Sequence, residues 1–261
     1  MEAALWVAKT GLDAQQTRMT VIANNLANVN TTGFKRDRAT FEDLLYQNVK
    51  QGGAQTSADT AAPTGLLLGT GTRVVATEKL HAQGNIIQTQ NAFDLAISGE
   101  GFFQILQPDG TLAYSRDGGF KISAEGVLVN SSGYRLQPEL AIPQNAQTIT
   151  VGADGTVSIQ TFGEAAAQTI GQIQVARFLN PSGLQAIGEH LFRETSSSGP
   201  PQVGIPTQQG NGQLIQGALE SSNVNVVEEM VNMIETQRAY EVNSKAIDSV
   251  NSMLQYANNN L

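Results

Sequence analysis

The sequence predicts an α+β protein: paired long terminal helices form a coiled-coil inner domain, an all-β outer domain follows, and an extended arm joins them. Three observations carry this reading. Uncharged residues recur at alternating steps of three and four at both ends of the 261-residue chain. Turn signals and short apolar runs fill residues 73–215, and a stretch poor in large apolar groups separates these from the first helix. The expected division is 1–33 with 216–261 as the helical inner domain, 34–72 as arm and 73–215 as β domain.

The first stripe is Leu5, Ala8, Leu12, Gln15, Met19, Ile22 and Leu26. It predicts one helix over residues 3–29, about 40 Å long at 1.5 Å per residue. The helix closes at Asn28-Val29-Asn30-Thr31-Thr32-Gly33, where Asn and Gly supply turn conformations. Asn24, Asn25, Asn28 and Asn30 crowd its end, and poor helix formers there suit either amides that hydrogen-bond between packed copies or a fraying helix end. Lys35-Arg36-Asp37-Arg38 is short, carries its own counter-charge and reads as a solvated bend. Residues 47–72 read as a linker, a long loop, or an arm lying on a neighbour; Gly52, Gly53 and Gly65 permit bends and Pro63 fixes one.

Strands are expected at 102–106, 112–116, 120–122, 127–129, 134–137, 149–151, 157–159, 173–178 and 191–192. Pro108-Asp109-Gly110, Asp117-Gly118-Gly119, Glu125-Gly126, Ser132-Gly133 and Asp154-Gly155 punctuate them. Asp-Gly between apolar runs signals a hairpin because both residues tolerate positive φ. The last helix starts near Val226, with Asn225 as cap and Glu228 three residues on. Its stripe is Met230, Met233, Gln237, Tyr240, Ser244, Ile247, Asn251 and Leu254. Two uncharged stripes suit a chain that pairs its own ends and then packs on copies of itself.

Composition narrows the function. Without cysteine, disulfides, thiolate metal sites and a Cys nucleophile are excluded. The net charge of −8 falls as +1 over residues 1–50, −6 over 51–220 and −3 over 221–261. No basic patch results, so nucleic-acid binding is not expected. No run reaches the roughly 18 apolar residues of a membrane span. An acid at Glu2 and another at Asp13 argue against a signal peptide.

Chemistry is equally sparse. His81 and His190 stand far apart with no metal-ligand spacing, and each reads as a surface or half-buried strand residue. Gly69-Thr70-Gly71 and Gly99-Glu100-Gly101 lack the helix a phosphate loop needs, and read as bends. Asp109, Asp117 and Glu125 sit in turns rather than as a carboxylate pair. No cofactor, metal or catalytic residue is expected. A peptidoglycan-acting enzyme or a sugar-binding β module with helical ends stays open as a rival.

Ala23-Asn24-Asn25-Leu26-Ala27-Asn28-Val29-Asn30-Thr31-Thr32-Gly33-Phe34-Lys35-Arg36 resembles the N-terminal signature of the bacterial flagellar rod and hook proteins. Leu219-Glu220-Ser221-Ser222-Asn223-Val224-Asn225 and Gln237-Arg238-Ala239-Tyr240-Glu241-Val242-Asn243 resemble the C-terminal one. Ile97-Ser98-Gly99-Glu100-Gly101-Phe102-Phe103 and Tyr114-Ser115-Arg116-Asp117-Gly118 also fit. The resemblance spans nearly the whole chain and is closest to the distal rod branch, with a proximal rod or short hook subunit as the near alternative. It implies a structural subunit that polymerises helically into a rigid, torque-transmitting shaft across the periplasm, exported without a cleaved signal peptide. Implied partners are further copies, the proximal rod proteins, the hook protein, the ring bushing around the shaft and the flagellar export apparatus. The implied self-assembly interface is Leu5, Leu12, Met19, Ile22, Asn24, Asn25, Leu26, Asn28, Met230, Met233, Gln237, Tyr240, Ser244, Ile247 and Leu254. Gly52, Gly53, Pro63 and Gly65 fall in the arm, which the resemblance implies stiffens the tube.

Overall fold

A computed structural model describes residues 2–52, 55–57, 60–61, 64–143, 145–162 and 166–259. The architecture is α+β: a helix at each end and a β-rich middle. The chain divides into two compact units.

The first unit comprises Met1–Ala27, Asp37–Glu78 and Asn225–Leu261. Helix α1 is Glu2–Ala27 and helix α2 is Val226–Asn259. Asn225 caps α2: its Oδ1 accepts the N–H of Val227 at 3.1 Å and of Glu228 at 3.4 Å, satisfying donors the first turn leaves unpaired. Asn25 lies beside Glu229, and Gly11 beside Asn243, so the two helices run antiparallel.

Among the described residues of 37–79, three nested strand pairs make a two-stranded ribbon. Asp37–Asp43 pairs with Thr72–Lys79, Tyr46–Lys50 with Leu66–Gly69, and Gln55–Ser57 with Thr60–Ala61. Most described residues of the stretch read from composition as linker, loop or arm are thus strand-paired. Every residue of Tyr46–Lys50 and of Leu66–Gly69 is exposed, which explains the missing alternation: neither face of this ribbon belongs to a core of its own chain. Gly52 and Gly65 face each other across the ribbon, where a Cβ on Gly65 would stand 2.7 Å from the Gly52 nitrogen. Gly53 and Pro63 lie outside the described residues.

The second unit comprises Asn28–Arg36 and Lys79–Val224. Among the described residues its main sheet has nine strands, centred on Phe102–Leu106. That strand pairs with Leu112–Ser115 on one side and Arg135–Gln137 on the other, with Val175–Arg177 joining its first residues. Successive side chains point to opposite faces. Phe103 and Ile105 therefore enter the larger core with Leu95, Ile97, Phe120 and Leu136, while Phe102 joins Tyr114, Phe178 and Phe192 in a smaller one. A three-stranded sheet, Ala146–Val151, Thr156–Thr161 and Gln168–Gln172, contributes Val157 to the larger core.

Four of the five expected turns are hairpin turns of one kind. Gly110, Gly126, Gly133 and Gly155 all take φ between 80° and 87°, and each donates its N–H to the residue three before it. Asp117-Gly118-Gly119 is different. Leu95 donates to the Gly118 carbonyl at 3.0 Å, and a Cβ on Gly118 would lie 1.6 Å from the Leu95 oxygen. Glycine is required there for close backbone approach, not for a hairpin.

The expectation of a solvated bend at residues 35–38 is corrected at Lys35. Its ammonium is buried and donates to Glu220 at 2.5 Å and to the Ala82 carbonyl at 2.8 Å. Glu220 also accepts Arg116 Nε at 2.8 Å and the Gly84 N–H at 2.8 Å. Two buried cations thus share one buried carboxylate. The surplus charge is solvated by carbonyls, since Arg116 also donates to Gly99 at 2.9 Å and Gly101 at 2.6 Å. Burial holds Lys35 below the usual lysine range, reinforced by the Arg116 charge. The sequence suggested a local solvated cluster because Glu220 lies 185 residues away.

His81 sits in a loop, half-buried, its ring edge-on to Phe102 and Phe192 at 5.5 Å each. Burial, then the Lys35, Arg116 and Lys79 charges, push it down to about 4. His190 is exposed in a turn with φ 61°. Neither occupies a strand.

Candidate assembly interface

Within the first unit, the buried residues of the two helices are small or polar apart from Ile22. On α1, Ala14, Ile22 and Asn25 are buried; on α2, Glu229 and Thr236 are. Asn232, Ala239, Asn243 and Ile247 continue that side of α2, half-buried at steps of three and four. Arg18 donates to Asn232 at 3.4 Å. Asn25 Nδ2 donates to Glu229 Oε2 at 3.3 Å and to the Asp37 carbonyl at 2.9 Å, while its Oδ1 accepts the Asp37 N–H at 2.8 Å. Asn24 donates to the Asp37 carboxylate at 3.1 Å. The amides expected to bond between copies are therefore engaged inside the chain.

One run of large apolar groups on α2 is turned outward. Val227 is 70% exposed, Met230 52%, Val231 50% and Ile234 48%, and they occupy steps i, i+3, i+4 and i+7 of one helix face. Of the residues singled out from sequence, Ile22 and Asn25 are buried, and Leu5, Leu12, Met19, Leu26, Asn28, Met233, Ser244 and Ile247 are half-buried. Asn24, Met230, Gln237, Tyr240 and Leu254 are exposed. Asn28 belongs to the second unit, where its side-chain oxygen accepts from Thr31. Sequence reasoning did not single out Val227, Val231 or Ile234, although their i, i+4, i+7 spacing was there to read.

Comparison with known proteins matches the chain in three segments. Residues 5–35 match the family described as flagella basal body rod protein. Residues 96–159 match the flagellar hook protein FlgE/F/G D1 domain, and residues 215–260 the flagellar basal body rod FlgEFG protein C-terminal. The chain is 53% identical over 252 residues to the flagellar basal-body rod protein FlgG of Buchnera aphidicola subsp. Schizaphis graminum, covering 97% of each. The chain belongs to the flagellar basal-body rod family. The FlgG of Borreliella burgdorferi is 48% identical, covering 99% of this chain and 98% of that protein, and that of Bacillus subtilis 37% identical over 257 residues. This rod-family chain is a structural subunit and not an enzyme. Each matched segment supplies one member of the ion cluster: Lys35, Arg116 and Glu220. Among the described residues no helix is long and apolar enough to cross a membrane.

Proposed function

We propose that the chain is the distal rod subunit, polymerising through its paired helices into a rigid shaft that carries torque from motor to hook. One observation supports this above the rest: α2 leaves Val227, Met230, Val231 and Ile234 uncovered on one face, while Asn25, Glu229 and Thr236 are buried between the helices. Such an arrangement is costly for an isolated chain and becomes favourable when copies cover each other, at roughly 25 cal/mol per Å² of apolar area. A heterologous contact repeated along a screw axis gives a filament. The pairing is read as a coiled coil, residues 34–72 as the extended arm, and residues 73–215 as the outer β domain.

The implied neighbours are the proximal rod proteins, the hook protein and the ring bushing. The proposed location is the rod segment crossing the periplasm, reached through the flagellar export apparatus without a cleaved signal. Met19→Asp or Ile247→Asp should abolish polymerisation while the β unit still melts as in the parent, since a buried charge without a partner is costly. Unchanged rods or normal motility with either substitution refutes the helical interface. Deleting residues 47–65 should leave subunits that polymerise into curved tubes, and straight, rigid tubes in electron micrographs remove the arm from the stiffening mechanism.

A further inference from the structure

The first unit carries a second apolar feature besides the outward face of α2. Trp6 and Ala3 of α1 and Gln47, Leu68, Gly69 and Thr70 of the ribbon line an open groove of about 520 Å³. Trp6 is 56% exposed and Leu68 47%. Leu68 stands opposite Gln47 in the strand register, so both project from the same ribbon face. Positive charge lies nearby: Lys9 Nζ is 5.6 Å from the centre of the Trp6 ring, and Lys50 ends the ribbon strand that holds Gln47, three residues along.

We infer that this groove receives the Val227, Met230, Val231 and Ile234 face of α2 from a second copy. This rests on the self-assembly reading above and names the two surfaces that meet. Four observations support the pairing. The α2 face has the i, i+3, i+4, i+7 anchor spacing with which a helix fills an apolar groove. It is flanked by the exposed acids Glu228 and Glu235, which complement Lys9 and Lys50. Neither surface covers the other within the chain, since all four anchors and both Trp6 and Leu68 are half exposed. Finally, groove and face are different patches of one subunit, so their contact is heterologous and propagates instead of stopping at a dimer.

The absence of cysteine makes the test clean. Full-length chains carrying Leu68→Cys, Ile234→Cys or both are assembled into rods and treated with a mild thiol oxidant. The double variant should give a denaturing-gel ladder of dimer, trimer and higher species. A mixture of the two single variants should give dimers only, and each single variant alone should stay monomeric. Charge is probed in parallel: Lys50→Glu should raise the concentration needed for assembly severalfold, and adding Glu235→Lys should restore it. Rods that form normally but yield no ladder overturn this pairing and leave self-assembly standing. A double variant whose bond closes only within one chain also overturns it. Failure of the unsubstituted chain to polymerise under any condition overturns the assembly reading beneath it.

Discussion

Glu220→Gln tests whether charge balance closes the β unit. The parent site holds Lys35 and Arg116 against one carboxylate, all buried. The glutamine oxygen still accepts from the Gly84 N–H or from a cation, but its amide carries no charge. Breaking a buried ion pair by removing one partner costs about 3–5 kcal/mol. The retained acceptor argues for the lower end, about 3 kcal/mol. A unit of this size, residues 28–36 plus 79–224, shifts its melting point by about 2–4 °C per kcal/mol. The expected fall is therefore about 6–12 °C, read by calorimetry or near-UV circular dichroism. Lys35→Met is the comparison. It removes the surplus cation and leaves Glu220 paired with Arg116 and Gly84, so it should cost clearly less. A fall under 2 °C for Glu220→Gln, or a larger fall for Lys35→Met, refutes the charge-balance argument.

The remaining expectations concern neighbouring groups. His81 is held near 4 in the fold against an ordinary value of 6.5, so the unfolded chain takes up its proton first as the pH falls. Its contribution is complete above pH 6.5 and lost progressively down to about 4, roughly 3 kcal/mol in all. His81→Leu should flatten the stability profile over that window relative to the parent, and parallel profiles in urea titrations would contradict it. Gly118→Ala should cost at least about 3 kcal/mol, the upper end of overpacking penalties, because its Cβ meets strand backbone instead of a yielding side chain. A denaturant midpoint within error of the parent would show that the Leu95 strand can move aside.

Local signals in the sequence were read well, and long-range ones were not. Asn225 announced the start of α2, and four x-Gly turns announced hairpins, because each is settled by residues a few positions apart. Phe102–Leu106 was placed to the residue. The ribbon was illegible as strand because Leu66, Leu67 and Leu68 are exposed together, and a run without alternation carries no period. On α2, apolar spacing marked Met230 and Gln237, whereas the side turned to α1 carries Glu229, Thr236 and Asn243. Periodicity marks faces but cannot say which face meets its own chain. Lys35 looked solvated because the acid that neutralises it comes 185 residues later.

That separation has a consequence for synthesis. Translation delivers Lys35 and Arg116 long before Glu220. Until the carboxylate emerges, closing the β unit means burying two positive charges with no negative one. The Gly33 N–H likewise waits for the Glu220 carbonyl, which it meets at 2.8 Å. A nascent or prematurely terminated chain therefore has no stable closed form, because closure requires the segment that leads directly into α2. Completeness of the β unit is written into its electrostatics, and a fragment that ends before Glu220 declares itself by staying open.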